Sequence, residues 1–183
     1  MLILNFTPFP TLTTDGLILR EITQADAQDM FVMRSNPTLM HFINKPLANT
    51  VADAQILIEK MTDTLACLDG IPWAITKKGN PRLIGFIGYW RIQKEHCRAE
   101  VGYMLEQSFH RQGILHEALQ AVLAYGFEKM RLHSIEAHIN PENKASEKLL
   151  QKNNFIKEAS FKENYYFEGA FYDTTVYSLL NHS

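Results

Sequence analysis

Residues 108–118 read SFHRQGILHEA: a polar stretch runs into a single glycine, Gly113, and a helical pattern begins at Ile114. Glycine is a poor helix former and is ordinary at a helix C-terminus. At an N-terminus it marks a place where something comes close to the backbone. The first turn of a helix offers unpaired N–H groups and the positive end of the helix dipole, which together hold a phosphate or another anion. His110, Arg111 and His116 flank the glycine and add positive or potentially positive charge. A plainer reading stands beside this one, since a lone glycine before a helix is often only a loop residue. The stretch is neither the lysine-bearing phosphate loop nor the dinucleotide fingerprint, both of which need more glycines.

Other residues with chemistry are scattered. Glu100 is polar inside the apolar run AEVGYML, 99–105. It marks either the solvated face of a sheet or a general base or orienting carboxylate. His133 and His138 fall on one short strand, where five positions put them on opposite faces, so they cannot share a metal ion by themselves. No HExxH or other ligand cluster occurs, and no metal is expected. Ser35, Ser108, Ser134, Ser146, Ser160 and Ser178 lack the GxSxG setting of a nucleophile elbow. Tyr165, Tyr166, Phe167, Phe171 and Tyr172 form an aromatic cluster near the end of the chain. Cross-strand packing explains most of it, and a substrate wall is the alternative.

The elements that position these groups follow from periodicity. Residues 1–14, with Pro8, Pro10 and four threonines, read as an irregular lead-in. Leu17–Ile22 alternates in part and predicts a first strand. Thr23 is placed as a helix N-cap with Asp26 as an acidic neighbour, and that helix stops before Pro37. Ala54, Leu57, Ile58, Met61 and Leu65 recur at helical spacing over 51–67, and Asp69-Gly70-Ile71-Pro72 breaks the helix. Strands are predicted at 73–76, 83–92 and 99–105, with breaks at 77–81 and 95–98. A helix follows from Ile114 to about Lys129, then a strand over 134–139 and a helix over 143–153. Two strands near 158–167 and 170–180, joined by Glu168-Gly169, close the chain. The strand-helix-strand segment 99–139 requires a crossover and hence a parallel pair. The fold class is α/β: a mixed, mostly antiparallel sheet of about six or seven strands with helices on both faces.

Composition bounds the function. The 183 residues, 46% hydrophobic and 21% charged, suit one domain over 1–183 with no repeat or linker. A net charge of −2 gives no electrostatic case for nucleic acid. No apolar run approaches the ~18 residues of a membrane span, and the start MLILNFTPFP lacks the basic region and cleavage site of a signal peptide. Cys67 and Cys97 are too few and too far apart for a disulfide framework or a zinc site, so a reducing cytoplasm is expected.

Taken in order, these segments resemble the GNAT superfamily of acyl-CoA-dependent N-acetyltransferases, and more closely its RimJ/RimL-type branch of ribosomal-protein N-terminal acetyltransferases. The resemblance covers about 11–180. TLTTDGLILREITQADAQDM resembles the branch's first strand and helix, and LIGFIGYW with AEVGYML its central strands. FHRQGIL resembles the acetyl-CoA pyrophosphate loop Q/R-x-x-G-x-G/A, NKASEKLLQKNNF the N-x-x-S…GF segment, and YYFEGAFYDTTVYSLL the closing hairpin.

The resemblance implies a single GNAT domain whose sheet splays between the strands near 99–105 and 134–139. It implies an enzyme with acetyl-CoA as co-substrate and no metal. Backbone groups near Met104 and Leu105 would hold the pantetheine arm. Amides of Arg111, Gln112, Gly113, Ile114, Leu115 and His116 would hold the pyrophosphate, and Asn143 would contact the cofactor near the thioester. Ser146 would protonate the leaving thiolate, and Glu100 would accept the amine proton. His41, Phe42, Tyr165 and Phe167 would line the acceptor pocket. The acceptor is a primary amine, either a protein N-terminus or a small molecule, and the chain is a monomer or a homodimer.

The sequence also departs from the pattern. His110 replaces Gln or Arg, Leu115 replaces Gly or Ala, and Asn154 replaces Gly. Leu150 stands where many members carry a catalytic tyrosine, so the tyrosine route is expected to be absent and Ser146 to take the acid role. Two other readings remain: a non-catalytic acyl-CoA sensor or interaction module of the same fold, and a different phosphate-ligand binder sharing only the topology.

Overall fold

Strand-forming runs rich in Ile, Val and aromatic residues assemble, in the computed structural model that describes residues 2–181, into one eight-stranded sheet. The strands are β1 (Leu12–Thr13), β2 (Leu17–Glu21), β3 (Ile71–Lys77), β4 (Asn80–Gln93), β5 (Arg98–Leu105), β6 (Ser134–Ile139), β7 (Ile156–Phe167) and β8 (Ala170–Leu180). Their order is β1-β2-β3-β4-β5-β6-β8-β7, and of the neighbouring pairs only β5 and β6 run parallel. The helices are α1 (Ala27–Arg34), α2 (Pro37–Met40), α3 (Val51–Ala66), α4 (Ile114–Ala124) and α5 (Lys144–Lys152).

The parallel pair follows from α4, which carries the chain from the end of β5 back to the start of β6, as parallel neighbours require. Its ladder is short. Arg98 faces Ser134, Ala99 faces Ile135, Glu100 faces Glu136, and pairing ends there. The strands then separate, which is the splay that the resemblance implies.

Side-chain alternation divides the sheet into two buried faces. Ile75, Ile87, Tyr89 and Val101 pack with Ile114, Ala118 and Val122 of α4 and Leu150 of α5. Ala74, Phe86 and Met104 pack with Met30 and Met33 of α1 and Ile58 and Met61 of α3. Local chemistry fixes the helix starts. Thr50 accepts from the Asp53 amide at 3.3 Å, and Asp53 returns a bond from the Thr50 amide at 2.9 Å, a reciprocal cap of two orphan donors. Asn36 accepts from the Thr38 amide at 2.9 Å, with Pro37 as the first residue of α2.

The architecture matches the α/β reading, with physical reasons for each difference. The sheet has eight strands rather than six or seven because β1 pairs only two residues, too few to show a period. The four-residue α2 escapes for the same reason. Thr23 opens a short 3-10 turn, Gln24–Asp26, before α1 begins. His133 lies just outside β6, its amide donating to the Cys97 carbonyl at 2.6 Å. β4 is longer than expected and bulges at Arg91, whose φ is 47°, and a bulge of this kind re-aims side chains. No helix among the described residues is long and apolar enough to cross a membrane.

α4 continues into wider π-helical turns over Tyr125–Met130. These turns press Gly126 against Tyr89, whose hydroxyl donates to the Val122 carbonyl at 2.8 Å. A Cβ on Gly126 would stand 2.2 Å from that hydroxyl oxygen. Gly126→Ala is expected to lower stability by about 1–3 kcal/mol, the usual cost of overpacking, seen as a lower urea midpoint at unchanged slope.

Candidate active site

A cleft of about 1580 Å³ opens where β5 and β6 part, and it runs from the α1–α3 side of the sheet through the gap to α4 and α5. The Glu106 amide donates to the Ile84 carbonyl at 2.8 Å, which fixes the phase of the β4–β5 ladder. Backbone groups of alternate residues point to opposite sides of a strand. Met104 therefore turns its backbone to β4, in agreement with its carbonyl lying 2.5 Å from where a Gly85 Cβ would be. Tyr103 and Leu105 turn theirs toward the gap.

The loop after β5 ends in left-handed backbone at Arg111 (φ 61°) and Gly113 (φ 80°). Gly113 is the N-cap of α4. A Cβ there would meet nothing within 4 Å, so the glycine is needed for its φ, and open space lies beyond it. None of the amides from Arg111 to His116 finds an acceptor among the described residues, and the first bonded amide of α4 is that of Glu117, on the Gly113 carbonyl at 3.0 Å. Successive free amides at a helix N-terminus form an anion-binding concavity. His110 Nε2 lies 2.9 Å from the Leu105 carbonyl, tying the loop back to β5. Leu115 is half-buried against the α4-side core while also lining the cleft.

Polar groups stand on both faces of the sheet beside the gap. On the α1–α3 side, Glu100 lies 3.1 Å from the Arg91 guanidinium, and its Oε2 is buried without a hydrogen bond. Burial pushes the Glu100 pKa up. The charges of Arg91 and His138 pull it down without cancelling the rise, and Glu136 pushes it further up. One ligating atom from each of Glu100, Glu136 and His138 lies within 4.8 Å of the others. Arg98 pairs with Glu136, and Arg91 with Glu100, so arginines supply the positive charge that a cation would bring. On the opposite side, the hydroxyls of Tyr103 and Ser146 are 2.6 Å apart. Burial raises Tyr103 to about 12, opposed by the Ser146 hydrogen bond. Ser146 is in the first turn of α5, where its amide donates to Asn143 Oδ1 at 3.1 Å.

The profile of the acetyltransferase (GNAT) domain family matches residues 16–156. The chain belongs to this family. An uncharacterized N-acetyltransferase of Bacillus subtilis strain 168, YoaA, is 35% identical over 172 residues, covering 94% of this chain and 97% of the relative. A ribosomal-protein-serine acetyltransferase of Escherichia coli K12 is 31% identical over 96 residues, 52% of this chain and 54% of its own length. Among solved structures, RimL, the ribosomal L7/L12 alpha-N-protein acetyltransferase in complex with coenzyme A, shares the fold at a TM-score of 0.84 and 18% identity, over 93% of this chain and 98% of its own. This GNAT chain is an N-acetyltransferase related to the RimJ/RimL-like branch, and its co-substrate is acetyl-CoA.

Most of the expected residues of the GNAT site line the one cleft: Glu100, Met104, Leu105, Arg111, Gly113, Ile114, Leu115, His116, Asn143, Ser146, Phe42 and Tyr165. Some differ from expectation. Gln112 is not part of the lining, because its side chain folds back to the Ser108 carbonyl at 2.9 Å. Met104 offers its side chain, its backbone being turned to β4. Asn143 Oδ1 is taken by the α5 cap. His41 and Phe167 line a separate shallow hollow of about 410 Å³ beyond the 44–49 segment. A tyrosine hydroxyl does stand at Ser146, but from another element. Leu150 is fully buried, and Tyr103 of β5 comes to Ser146 instead. The period-2 alternation of AEVGYML held the signal, since it puts Tyr103 on the face opposite Glu100.

A carboxyl whose folded pKa exceeds its unfolded value holds its proton more tightly when folded. Its contribution to stability is full below the unfolded pKa and is lost as pH rises through the folded one. Glu100→Gln cannot ionise, so its stability relative to the parent is expected to increase from acid toward pH 7. Paired urea titrations across that range check this, and a flat difference counts against a raised Glu100.

Proposed function

We propose that the chain moves the acetyl group of acetyl-CoA to a primary amine, a protein N-terminal α-amine or a small amine, by direct attack on the thioester. The observation that carries the reading is the parted β5–β6 gap, with free amides at one end and polar groups on both of its faces. The pyrophosphate would sit on the amides from Arg111 to His116, and the pantetheine arm along the backbone of Tyr103 and Leu105. The thioester would then lie in the gap. A neutral amine arriving from the α1–α3 side attacks the carbonyl carbon, and a free backbone N–H of β5 polarises the carbonyl oxygen. Glu100 takes the amine proton. Its raised pKa makes it a better base at neutral pH than an ordinary carboxylate.

As the tetrahedral species collapses, the carbon–sulfur bond breaks and the thiolate leaves toward Tyr103 and Ser146. That hydroxyl pair donates a hydrogen bond to the sulfur and returns a proton to it, and is reprotonated from solvent. Holding both reactants in one gap supplies much of the rate. The free thiols Cys67 and Cys97 fit a reducing compartment, and the cytoplasm is where we place the reaction.

Calorimetry with acetyl-CoA and turnover on a panel of N-terminal peptides and small amines test the reading. Saturable binding with turnover of at least one amine is expected. Binding without turnover across the panel favours the non-catalytic sensor, and no binding removes both. Glu100→Gln is expected to lower kcat/KM by about 10²-fold and to remove the enzyme's own acid limb from the pH profile, leaving only the limb set by protonation of the acceptor amine. Ser146→Ala and Tyr103→Phe are each expected to lower kcat, with the double variant little worse than the poorer single one, as for groups that act as a unit. Full turnover in both Glu100→Gln and Ser146→Ala would sink these roles.

A further inference from the structure

We infer that the acceptor amine carries an anionic group, a carboxylate or a phosphate, and that Arg34 seats it; the inference rests on the acetyl-transfer reading above. Arg34 is the last residue of α1 and lines the cleft. Its carbonyl accepts the Ala48 amide at 3.0 Å, so the segment after α2 folds over it. The side chain is half-buried, and no hydrogen bond, ion pair or ring contact engages its guanidinium among the described residues. Burial lowers its pKa, and no anion opposes the effect. An arginine nevertheless stays protonated in proteins. The guanidinium nitrogens still reach the cleft, but a charge partly shielded from water gains from a matching anion, and no described residue supplies one.

Charge matching along the cleft points the same way. Its carboxylates are engaged: Glu100 by Arg91, Asp53 by the Asn49 and Thr50 amides, and Asp173 by the Glu163 amide. On the α1–α3 side Arg91 takes Glu100, but two other cations of the lining have no anion among the described residues. Arg34 is unpartnered, and Lys45 only lies over the Tyr165 ring at 5.7 Å. The phosphates of the donor have their own seat at the start of α4, across the sheet, so they do not account for Arg34. Leu39, Phe42 and Leu57 line the same side of the cleft. Beside such apolar walls, the planar guanidinium fork binds a carboxylate or a phosphate through two parallel bonds and is poorly replaced by water. An amine whose anion rests on Arg34 is held on the sheet face that carries Glu100.

Three matched pairs of acceptors test this with acetyl-CoA. They are a short peptide with aspartate at its second position against its asparagine version, a free amino acid against its amide, and phosphoethanolamine against ethanolamine. The anionic member of at least one pair is expected to show a kcat/KM about tenfold or more above its neutral partner, and the responding pair identifies the source of the anion. Arg34→Gln is expected to bring that ratio close to one, and Arg34→Lys to keep part of it. Acetyl-CoA affinity reports that each variant is folded. A ratio near one in all three pairs, or a ratio that Arg34→Gln leaves intact, overturns the inference while the acetyl-transfer reading stands. If no acceptor is acetylated, that reading fails on its own, and calorimetry of the same six compounds on coenzyme A-saturated protein decides the role of Arg34. Tighter binding of an anionic member that is lost in Arg34→Gln supports it, and equal binding of both members overturns it.

Discussion

The molecule depends on a parallel strand pair that stops after three residue pairs. Backbone polar groups inside a protein must find partners, and a sheet normally provides them without interruption. Where β5 and β6 part, the inward groups of Tyr103 and Leu105 lose the neighbour that a longer ladder would give them. The same parting leaves the loop after β5 free to turn under the gap and start α4 with its amides unpaired. The gap and the helix end with its free amides are therefore one event in the topology. Ligands in open α/β sheets gather at such discontinuities beyond strand ends.

The parting also explains why polar groups from opposite faces can share one space. Glu100 and Tyr103 are three residues apart on β5 and so project to opposite sides of the sheet. In a closed sheet they would never act on the same atom. Glu100 lies with Arg91, Glu136 and His138 on one side, and Tyr103 meets Ser146 of α5 on the other. The bulge at Arg91 belongs to the same design, since it brings a guanidinium to the strand that bears Glu100. The proposed acid and base are thereby kept apart, each with its own electrostatic surroundings.

Much of this was legible in the sequence because it is periodic. The alternation of AEVGYML, the helical spacing over 51–67 and the crossover between 99 and 139 gave the sheet, its helices and its single parallel pair. The order of motifs gave the family, and Gly113 marked the start of α4. What stayed hidden depends on contacts between distant segments. Tyr103 and Ser146 are 43 positions apart and meet only through the docking of α5 on β5. The unpaired state of Arg34 cannot be read from α1 alone, because it depends on what the rest of the cleft fails to offer. His41 and Phe167 are expected beside Phe42 and Tyr165 only because the resemblance points to the early helices and the last hairpin. The 44–49 segment between the two hollows, held by the Tyr165 hydroxyl on the Asn44 carbonyl at 3.1 Å, separates them. Leu115 departs from the small residue of the motif, and a motif does not record that its side chain packs on the α4-side core.

The left-handed backbone at Arg111 and Gly113 has a consequence for how such a protein drifts over time. The proposed seat for the donor is written in peptide groups, which every residue but proline carries, and only the torsion at Gly113 demands a particular amino acid. Histidine can replace glutamine or arginine at 110, and leucine a small residue at 115, without removing a single N–H from the seat. A lineage can therefore lose nearly all of the recognisable spelling of this loop and keep its shape. The opposite side of the gap is written in side chains such as Arg34, Phe42 and Tyr165, and there each replacement changes what is met. Divergence within this architecture should accumulate silently on the one side and as new selectivity on the other.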